Sequence, residues 1–217
     1  KYAEMCEKLG DNEEAIKTYE GIEEYKKAGD VYRKINEPVK AKQMYKQAGK
    51  WLKYVEVCEE LKEFEEAGDI YLKIGYTYKA KHMYEKAGDV YRKIENYSKA
   101  KEMYRQARNK LKYAEMCEVL EENEEAIIFY ESIREYEKAG NIYMKIKDTV
   151  RAKQMYEKAG DVYKEDGDFV KAKEIYKKAI DTGKGSTDGL KYKYAEMCEK
   201  LGDNEEAIKT YEGIEEY

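Results

Sequence analysis

One arrangement of aromatic, small and polar positions recurs along the chain. Tyr or Cys is followed after eight residues by Ala, and after three more by Tyr. It starts at Cys6, Tyr32, Cys58, Tyr71, Tyr91, Cys117, Tyr143, Tyr163 and Cys198. The second and third members are Ala15 and Tyr19, Ala41 and Tyr45, Ala67 and Tyr71, Ala80 and Tyr84, and Ala100 and Tyr104. Ala126 and Tyr130, Ala152 and Tyr156, Ala172 and Tyr176, and Ala207 and Tyr211 complete the series. Three residues past the first member stands Leu or Ile (Leu9, Ile35, Leu61, Ile74, Ile94, Leu120, Ile146, Leu201), with Asp166 the exception. Next comes a turn-like stretch such as GDNEE, NEPVK, GYTYK, ENYSK, KDTVR or GDFVK, where Gly, Asn, Asp and the sole proline, Pro38, act as breakers and caps. On either side apolar residues fall at spacings of three and four, as in Ala100, Met103, Tyr104, Ala107 and Leu111. The predicted unit is helix, short turn, helix, and no stretch alternates with the period of a strand.

The small residues have a mechanical reading. Ala lets two helix axes approach, and Tyr on a neighbouring turn fills the space beside it. Ala-Gly pairs at Ala28-Gly29, Ala48-Gly49, Ala67-Gly68, Ala87-Gly88, Ala139-Gly140 and Ala159-Gly160 fall inside helical pattern. Glycine there costs about 1 kcal/mol relative to Ala, so close packing is the natural compensation and the helices are predicted to run through.

The two ends repeat each other. Residues Lys1–Tyr25 and Lys193–Tyr217 are identical, whereas a third copy over Tyr113–Tyr136 differs at seven of 24 positions. Exact identity beside ordinary drift implies recent duplication or engineering, and leads us to expect a segment cut from a longer array. Asp181–Gly189 (DTGKGSTDG) holds three glycines and no apolar side chain. It reads as a flexible join, because a phosphate loop needs a preceding strand and the order GxxxxGK[ST]. The expected organisation is helical repeats over 1–182, a Gly-rich loop over 183–189, and over 190–217 the start of a further repeat identical to 1–25.

Composition narrows the function. Charged residues make up 41% with a net charge of -5, both signs interleaved, which argues against a nucleic-acid surface. No apolar run spans a bilayer, no secretory leader opens the chain, and a cytoplasmic location is expected. Cys6, Cys58, Cys117 and Cys198 recur in one local frame (YAEMCEKL, YVEVCEEL, YAEMCEVL, YAEMCEKL), so they read as one buried, reduced position. The single histidine, His82, has no second ligand type beside it, and no metal, cofactor or catalytic residue is expected. Carboxylates follow the repeat, whereas an active site would break it.

Alternating acids and lysines are the remaining candidates. Glu4–Lys8, Asp30–Lys34, Asp69–Lys73, Asp89–Lys93 and Glu196–Lys200 stand four apart, with Asn141–Lys145 a near miss. They read either as helix-surface pairs worth about 0.2–0.5 kcal/mol each or as a ladder facing a bound peptide. Tyr76, Tyr78 and Tyr97 fall in turns, where they cover helix ends or stack on a ligand. Trp51 stands where the spacing looks irregular, as a repacked interface or a partner contact.

Ala87-Gly88, Tyr91, Ala100 and Tyr104, and again Ala139-Gly140, Tyr143, Ala152 and Tyr156, resemble the signature of the tetratricopeptide repeat. The resemblance covers nearly the whole chain and implies an all-α, right-handed α-solenoid of stacked antiparallel helix hairpins. Two departures stand out: the proline ending each repeat is missing, and turns recur after 20 or 26 residues where the family uses 34. Such spacing predicts single helices of about 17 to 23 residues from turn to turn. Long helices with this AGD-x-Y grammar look like the soluble attachment-protein (SNAP) subfamily, which adapts membrane-fusion complexes to an ATPase. Neither its lipid-touching loop nor its acidic tail can be matched here, so only its shape is carried over. The resemblance implies a non-enzymatic scaffold binding a peptide or helix of a partner protein, with Asp30, Lys34, Asp69, Lys73, Asp89, Lys93, Asn141 and Lys145 in the groove. The alternative is a structural array joining end to end through its copied ends, with Tyr2, Cys6, Leu9, Tyr211 and Ile214 at the joint.

Overall fold

A computed structural model of the chain describes residues 1–182 and 186–215. Residues 183–185 of the predicted Gly-rich loop, and residues 216 and 217, lie outside the described residues. Every regular element among the described residues is a helix, and the chain divides into two compact units, Lys1–Asn109 and Lys110–Tyr217. The first unit holds α1 (Tyr2–Leu9), α2 (Asn12–Gly21), α3 (Tyr25–Lys34), α4 (Pro38–Gln47), α5 (Trp51–Glu60), α6 (Phe64–Lys73), α7 (Thr77–Lys93) and α8 (Tyr97–Ala107). In the second are α9 (Lys110–Val119), α10 (Asn123–Ser132), α11 (Tyr136–Lys145), α12 (Thr149–Glu165), α13 (Phe169–Thr182), α14 (Asp188–Leu201) and α15 (Asn204–Glu215). Within each unit every helix packs on the next one along the chain, and each unit is a solenoid of helical hairpins.

The turns explain the spacing. A left-handed residue closes each turn whose residues are all described, and Gly10, Glu23, Asn36, Gly49, Lys62 and Gly75 follow at intervals of 13. The series resumes with Glu95, Arg108, Glu121, Arg134 and Lys147, again 13 apart. One hydrogen bond repeats at every turn: the amide after the left-handed residue reaches the carbonyl of the Tyr or Cys five positions back. Glu24 N–H to Tyr19 O (2.9 Å), Glu63 N–H to Cys58 O (2.8 Å) and Glu135 N–H to Tyr130 O (2.9 Å) are examples. This bond satisfies an orphan carbonyl of the helix end.

The helices are therefore shorter than the sequence spacing predicts. Single 17-residue helices join successive turns only in α7 and α12. Where the repeat is 26 residues long, a second turn lies halfway, at Glu23, Gly49, Arg108 or Arg134, and cuts the helix into pieces of about ten. Three of those four residues are not glycine, which hid the turns from a reading based on breakers. Ala48-Gly49 is one of them: Ala48 caps α4 and Gly49 has φ +62°, so the predicted continuous helix breaks there. The five other Ala-Gly pairs lie inside α3, α6, α7, α11 and α12, as expected. Trp51 opens α5 in regular register, two residues after the Gly49 turn.

All nine predicted Ala positions are buried, and so are the predicted core tyrosines from Tyr19 to Tyr176; Tyr211 is half-buried near the C-terminal end. The four cysteines are free and buried.

Candidate interaction surface

The AGD motif builds a joint between helices. Gly29, Gly68, Gly88, Gly140 and Gly160 each face the ring of the tyrosine 16 positions later: Tyr45, Tyr84, Tyr104, Tyr156 and Tyr176. A Cβ at any of them would lie 2.5 to 2.8 Å from a ring carbon, so only glycine admits the ring. The next residue takes the phenol. Tyr45 donates to Asp30 (2.7 Å), Tyr84 to Asp69 (2.7 Å), Tyr104 to Asp89 (2.8 Å), Tyr156 to Asn141 (2.9 Å) and Tyr176 to Asp161 (2.7 Å). Other buried tyrosines reach a glutamate 12 residues away, as Tyr71 to Glu59 (2.8 Å), Tyr113 to Glu125 (2.7 Å) and Tyr130 to Glu118 (2.9 Å). Burial and then the bonded carboxylate push up the phenols of Tyr45, Tyr84, Tyr130 and Tyr176, and that of Tyr71 to about 12. A buried phenol needs such a partner. Cations cover many ring faces from the position just before the core Ala, as Lys79 over Tyr71 (5.3 Å) and Lys99 over Tyr91 (4.8 Å).

The predicted acid–lysine pairs are therefore divided between helices. Asp30 binds Tyr45 and Lys53, while Lys34 lies 3.9 Å from Glu7. Asp69 binds Tyr84, and Lys73 lies over the Trp51 ring at 4.8 Å. Asp89 binds Tyr104, and Lys93 is exposed. Asn141 accepts from Tyr156 and Lys178, and Lys145 lies 3.6 Å from Glu121. Glu4 pairs with Lys27 and Glu196 with Lys164. Burial alone would raise the Asp30 carboxyl, but the hydrogen bonds from Lys53 and Tyr45 outweigh it and hold the carboxyl low. The signal for these partners was present in the sequence as the constant offsets of 15 and 16 from each Gly-Asp to a Tyr.

Two clusters have ligand atoms close enough for a metal: Cys58, Glu63 and Glu66, and Cys117, Glu122 and Glu125. In the first, the Lys42 ammonium binds Glu63 (2.6 Å) and Glu66 (2.9 Å), and Tyr54 donates to Glu66. Burial pushes the Cys58 thiol up to about 12, which makes it a poor thiolate ligand. Lys173 likewise binds Asp203 (2.6 Å) and Glu206 (2.6 Å) beside Cys198. These groups act as ion-paired corners of the ladder.

Besides a polar cleft of about 330 Å³ lined by Glu4, Glu7, Lys8 and Lys34, two open clefts lie in the first unit. One, of about 420 Å³, lies between the start of α6 and the second half of α7, lined by Phe64, Glu65, Asp69, Ala87, Val90 and Tyr91 among others. The other, of about 380 Å³, is mostly apolar, with Trp51, Leu52, Ile74 and Tyr76. Of the predicted groove residues, Asp69 lines the α6–α7 cleft and Lys34 the polar cleft beside Glu4 and Glu7. Of the turn tyrosines, Tyr76 lines the apolar cleft, Tyr78 is exposed and Tyr97 half-buried. Among the predicted joint residues, Tyr2 and Leu9 are exposed, Cys6 is buried, and Tyr211 and Ile214 are half-buried.

The model of the soluble NSF attachment protein, SNAP, matches residues 110–187, and a tetratricopeptide repeat model matches residues 82–107 and 189–215. No curated protein matches the sequence. Among solved structures, the chain is similar to the C-terminal part of a TPR repeat-containing protein from Cytophaga hutchinsonii, at 18% identity and TM-score 0.40, over 96% of this chain and 98% of that one. It is similar to BtubC from P. vanneervenii at 13% identity and TM-score 0.35, over 89% and 87%. The pilF protein of Pseudomonas aeruginosa is 16% identical with TM-score 0.32, over 70% of this chain and 89% of that one. The two family models run along the same ladder of Ala, Gly and Tyr that the helices display, and the chain belongs to the tetratricopeptide-repeat superfamily.

Proposed function

We propose that the chain is a protein-binding scaffold that holds a peptide or helix of a partner protein in the cleft between α6 and α7. The superfamily is a protein-interaction fold, which supports the broad reading. The cleft itself supports the finer one: Phe64, Ala87, Val90 and Tyr91 offer an apolar floor beside the carboxylates of Glu65 and Asp69. The core tyrosines of the repeat, by contrast, are buried between helices. A few convergent polar groups around apolar walls are the usual composition of a binding site. The test is selection of displayed peptides against the chain, followed by binding to the Val90→Arg and Asp69→Lys variants. Selected peptides should lose at least about tenfold in affinity to both, an effect of the size expected for residues at the centre of a site. Peptides that bind the variants and the parent alike would move the site elsewhere and reject this reading.

A second reading, end-to-end assembly, is favoured by one contrast between identical sequences. Tyr2 and Met5 on α1 are each 61% exposed, whereas their copies Tyr194 and Met197 on α14 are 6% and 0% exposed, in a helix that packs against α13. The face that α14 buries is open on α1. Sedimentation velocity of the 217-residue chain over a wide concentration range tests it. Oligomers that grow with concentration and disappear in Met5→Lys support assembly, and a monomer at every concentration rejects it.

A further inference from the structure

The two units carry matching frames of residues that are filled differently at one place. Residues 61–107 and 133–179 correspond at a constant offset of 72: Glu65 to Glu137, Asp69 to Asn141, Tyr84 to Tyr156, Tyr91 to Tyr163. In the second unit the Lys178 ammonium donates to Asn141 Oδ1 (2.8 Å) and Glu137 Oε1 (3.4 Å). It also lies 4.4 Å from the centroid of the Tyr156 ring, a close cation–π contact. The residue at that position in the first unit is Gln106. Its amide turns to Glu102 on its own helix, at 2.9 Å. The receiving groups are nonetheless present: Tyr84 and its partner Asp69, and Glu65 held by Tyr91 at 2.6 Å.

The charge at this place is more negative in the first unit, because Asp69 stands where the second unit has Asn141. Lys62 lines the cleft, while Lys86 over Phe64 (5.5 Å) and Lys99 over Tyr91 (4.8 Å), the latter donating to the Tyr91 hydroxyl at 3.2 Å, are the cations on its rings. Both belong to the frame common to the two units, since Lys158 lies over Tyr136 (5.4 Å) and Lys171 over Tyr163 (5.3 Å) in the same way. Among the described residues, neither Glu65 nor Asp69 has a lysine or arginine nitrogen within salt-bridge distance; each accepts from a tyrosine instead. Burial, with Asp69 and Glu65 adding to it, raises the Tyr84 phenol, whereas Lys42 partly offsets the same effect at Tyr54.

We propose that the α6–α7 cleft receives a lysine side chain of the partner segment, its ammonium seated between Glu65 and Asp69, the counterparts of the Glu137 and Asn141 that hold Lys178 in the second unit. This assignment rests on the cleft being the interaction site and names the chemistry of what enters it. The aliphatic stem of the lysine lies along Val90 and Ala87, and the ammonium meets two carboxylates. Arginine is less well matched, because the internal occupant is a compact point charge with its donors spread around it.

The experiment uses a blocked penta-lysine peptide as probe, its penta-norleucine counterpart as control, and amide shifts of the full chain as readout. Penta-lysine should shift Glu65, Asp69 and Tyr84, and the norleucine peptide should not. Gln106→Lys supplies the ammonium from within and should weaken apparent binding at least about fivefold, the scale of one cation–π contact with its ion pairs. Lys178→Gln should open a second seat, with new shifts at Glu137 and Asn141. Undiminished penta-lysine binding to Gln106→Lys overturns the proposal. If the norleucine peptide produces the same shifts, the cleft remains the binding site and only the lysine assignment fails. Shifts confined to other helices reject both.

Discussion

Gly160→Ala is the sharpest test of the glycine–tyrosine joint. Ala is intrinsically better than Gly inside a helix by about 1 kcal/mol, so an open site would gain stability. At Gly160 the new Cβ would lie 2.5 Å from Cε1 and 2.6 Å from Cδ1 of Tyr176. Carbon atoms in contact rest at about 3.5–4.0 Å, so the ring must retreat by about 1 Å. Tyr176 is fully buried and its hydroxyl is fixed on Asp161 at 2.7 Å, which leaves it little room to turn. Overpacking of this kind costs about 1–3 kcal/mol, and loss of a hydrogen bond to a charged group about 1.5–3 kcal/mol. Against the propensity gain, the net destabilisation is about 1.5–5 kcal/mol. Urea denaturation followed by circular dichroism, with hydrogen exchange of α12 and α13 to detect local opening, measures it. Gly21→Ala is the control: that glycine has nothing within 4 Å of its added Cβ and should gain about 0.5–1 kcal/mol. In a Tyr176→Leu background the cost of Gly160→Ala should largely vanish. The reasoning is refuted if Gly160→Ala stabilises as Gly21→Ala does, or costs as much without the Tyr176 ring.

Three further outcomes follow from the phenols, carboxylates and thiols. The raised tyrosines favour the neutral phenol in the folded state, so their contribution is intact below the unfolded value of about 10 and is lost as pH rises through the folded values, Tyr71 at about 12. Urea midpoints should fall steadily above about pH 10, and a flat profile up to pH 12 would contradict the ladder. Asp30 and Glu66 are held below the usual carboxylate range, because hydrogen bonds from Lys53 and Tyr45, and from Tyr54 and Lys42, outweigh the opposing effect of burial. Their stabilisation is present above about pH 4 and is lost as pH falls through the folded values, so Asp30→Asn should flatten the acid limb of the midpoint profile. Cys58, buried and pushed up to about 12, should resist an aromatic disulfide reagent until urea unfolds the chain. Labelling of Cys58 at the native rate of an exposed thiol would show that α5 opens far more readily than its packing implies.

The core was legible because its residues are of unusual types at fixed intervals: Ala and Tyr nine and four positions after each anchor leave little choice of buried face. The turns were legible only where Gly, Asn or Asp marks them. Glu23 and Arg134 adopt left-handed backbone with no such mark, and the same anchor series starting also at Tyr19 and Tyr130 would have exposed the 13-residue step. The contacts of the acid–lysine pairs were hidden for a related reason. A separation of four suggests contact along one helix, but Asp30 and Asp69 turn to a tyrosine on the following helix, a partner that local spacing cannot see. The α6–α7 cleft left no local mark at all. It emerges only when Gln106 is compared with Lys178, two positions 72 residues apart in otherwise matching frames.

The two 17-residue helices exceed their ten-residue neighbours by seven. Seven residues are close to two complete turns, so the added length returns the backbone to its starting angle within about 20°. Ala80 and Ala87, and Ala152 and Ala159, consequently point the same way and are all buried. Growth of a rod by four or five residues would swing its inward stripe out into water, whereas growth by seven leaves each neighbour's fit untouched. The spacing between packing positions within a rod is thus quantised, and a protein engineer can insert one such increment inside α4 or α10 while the flanking rods keep their faces.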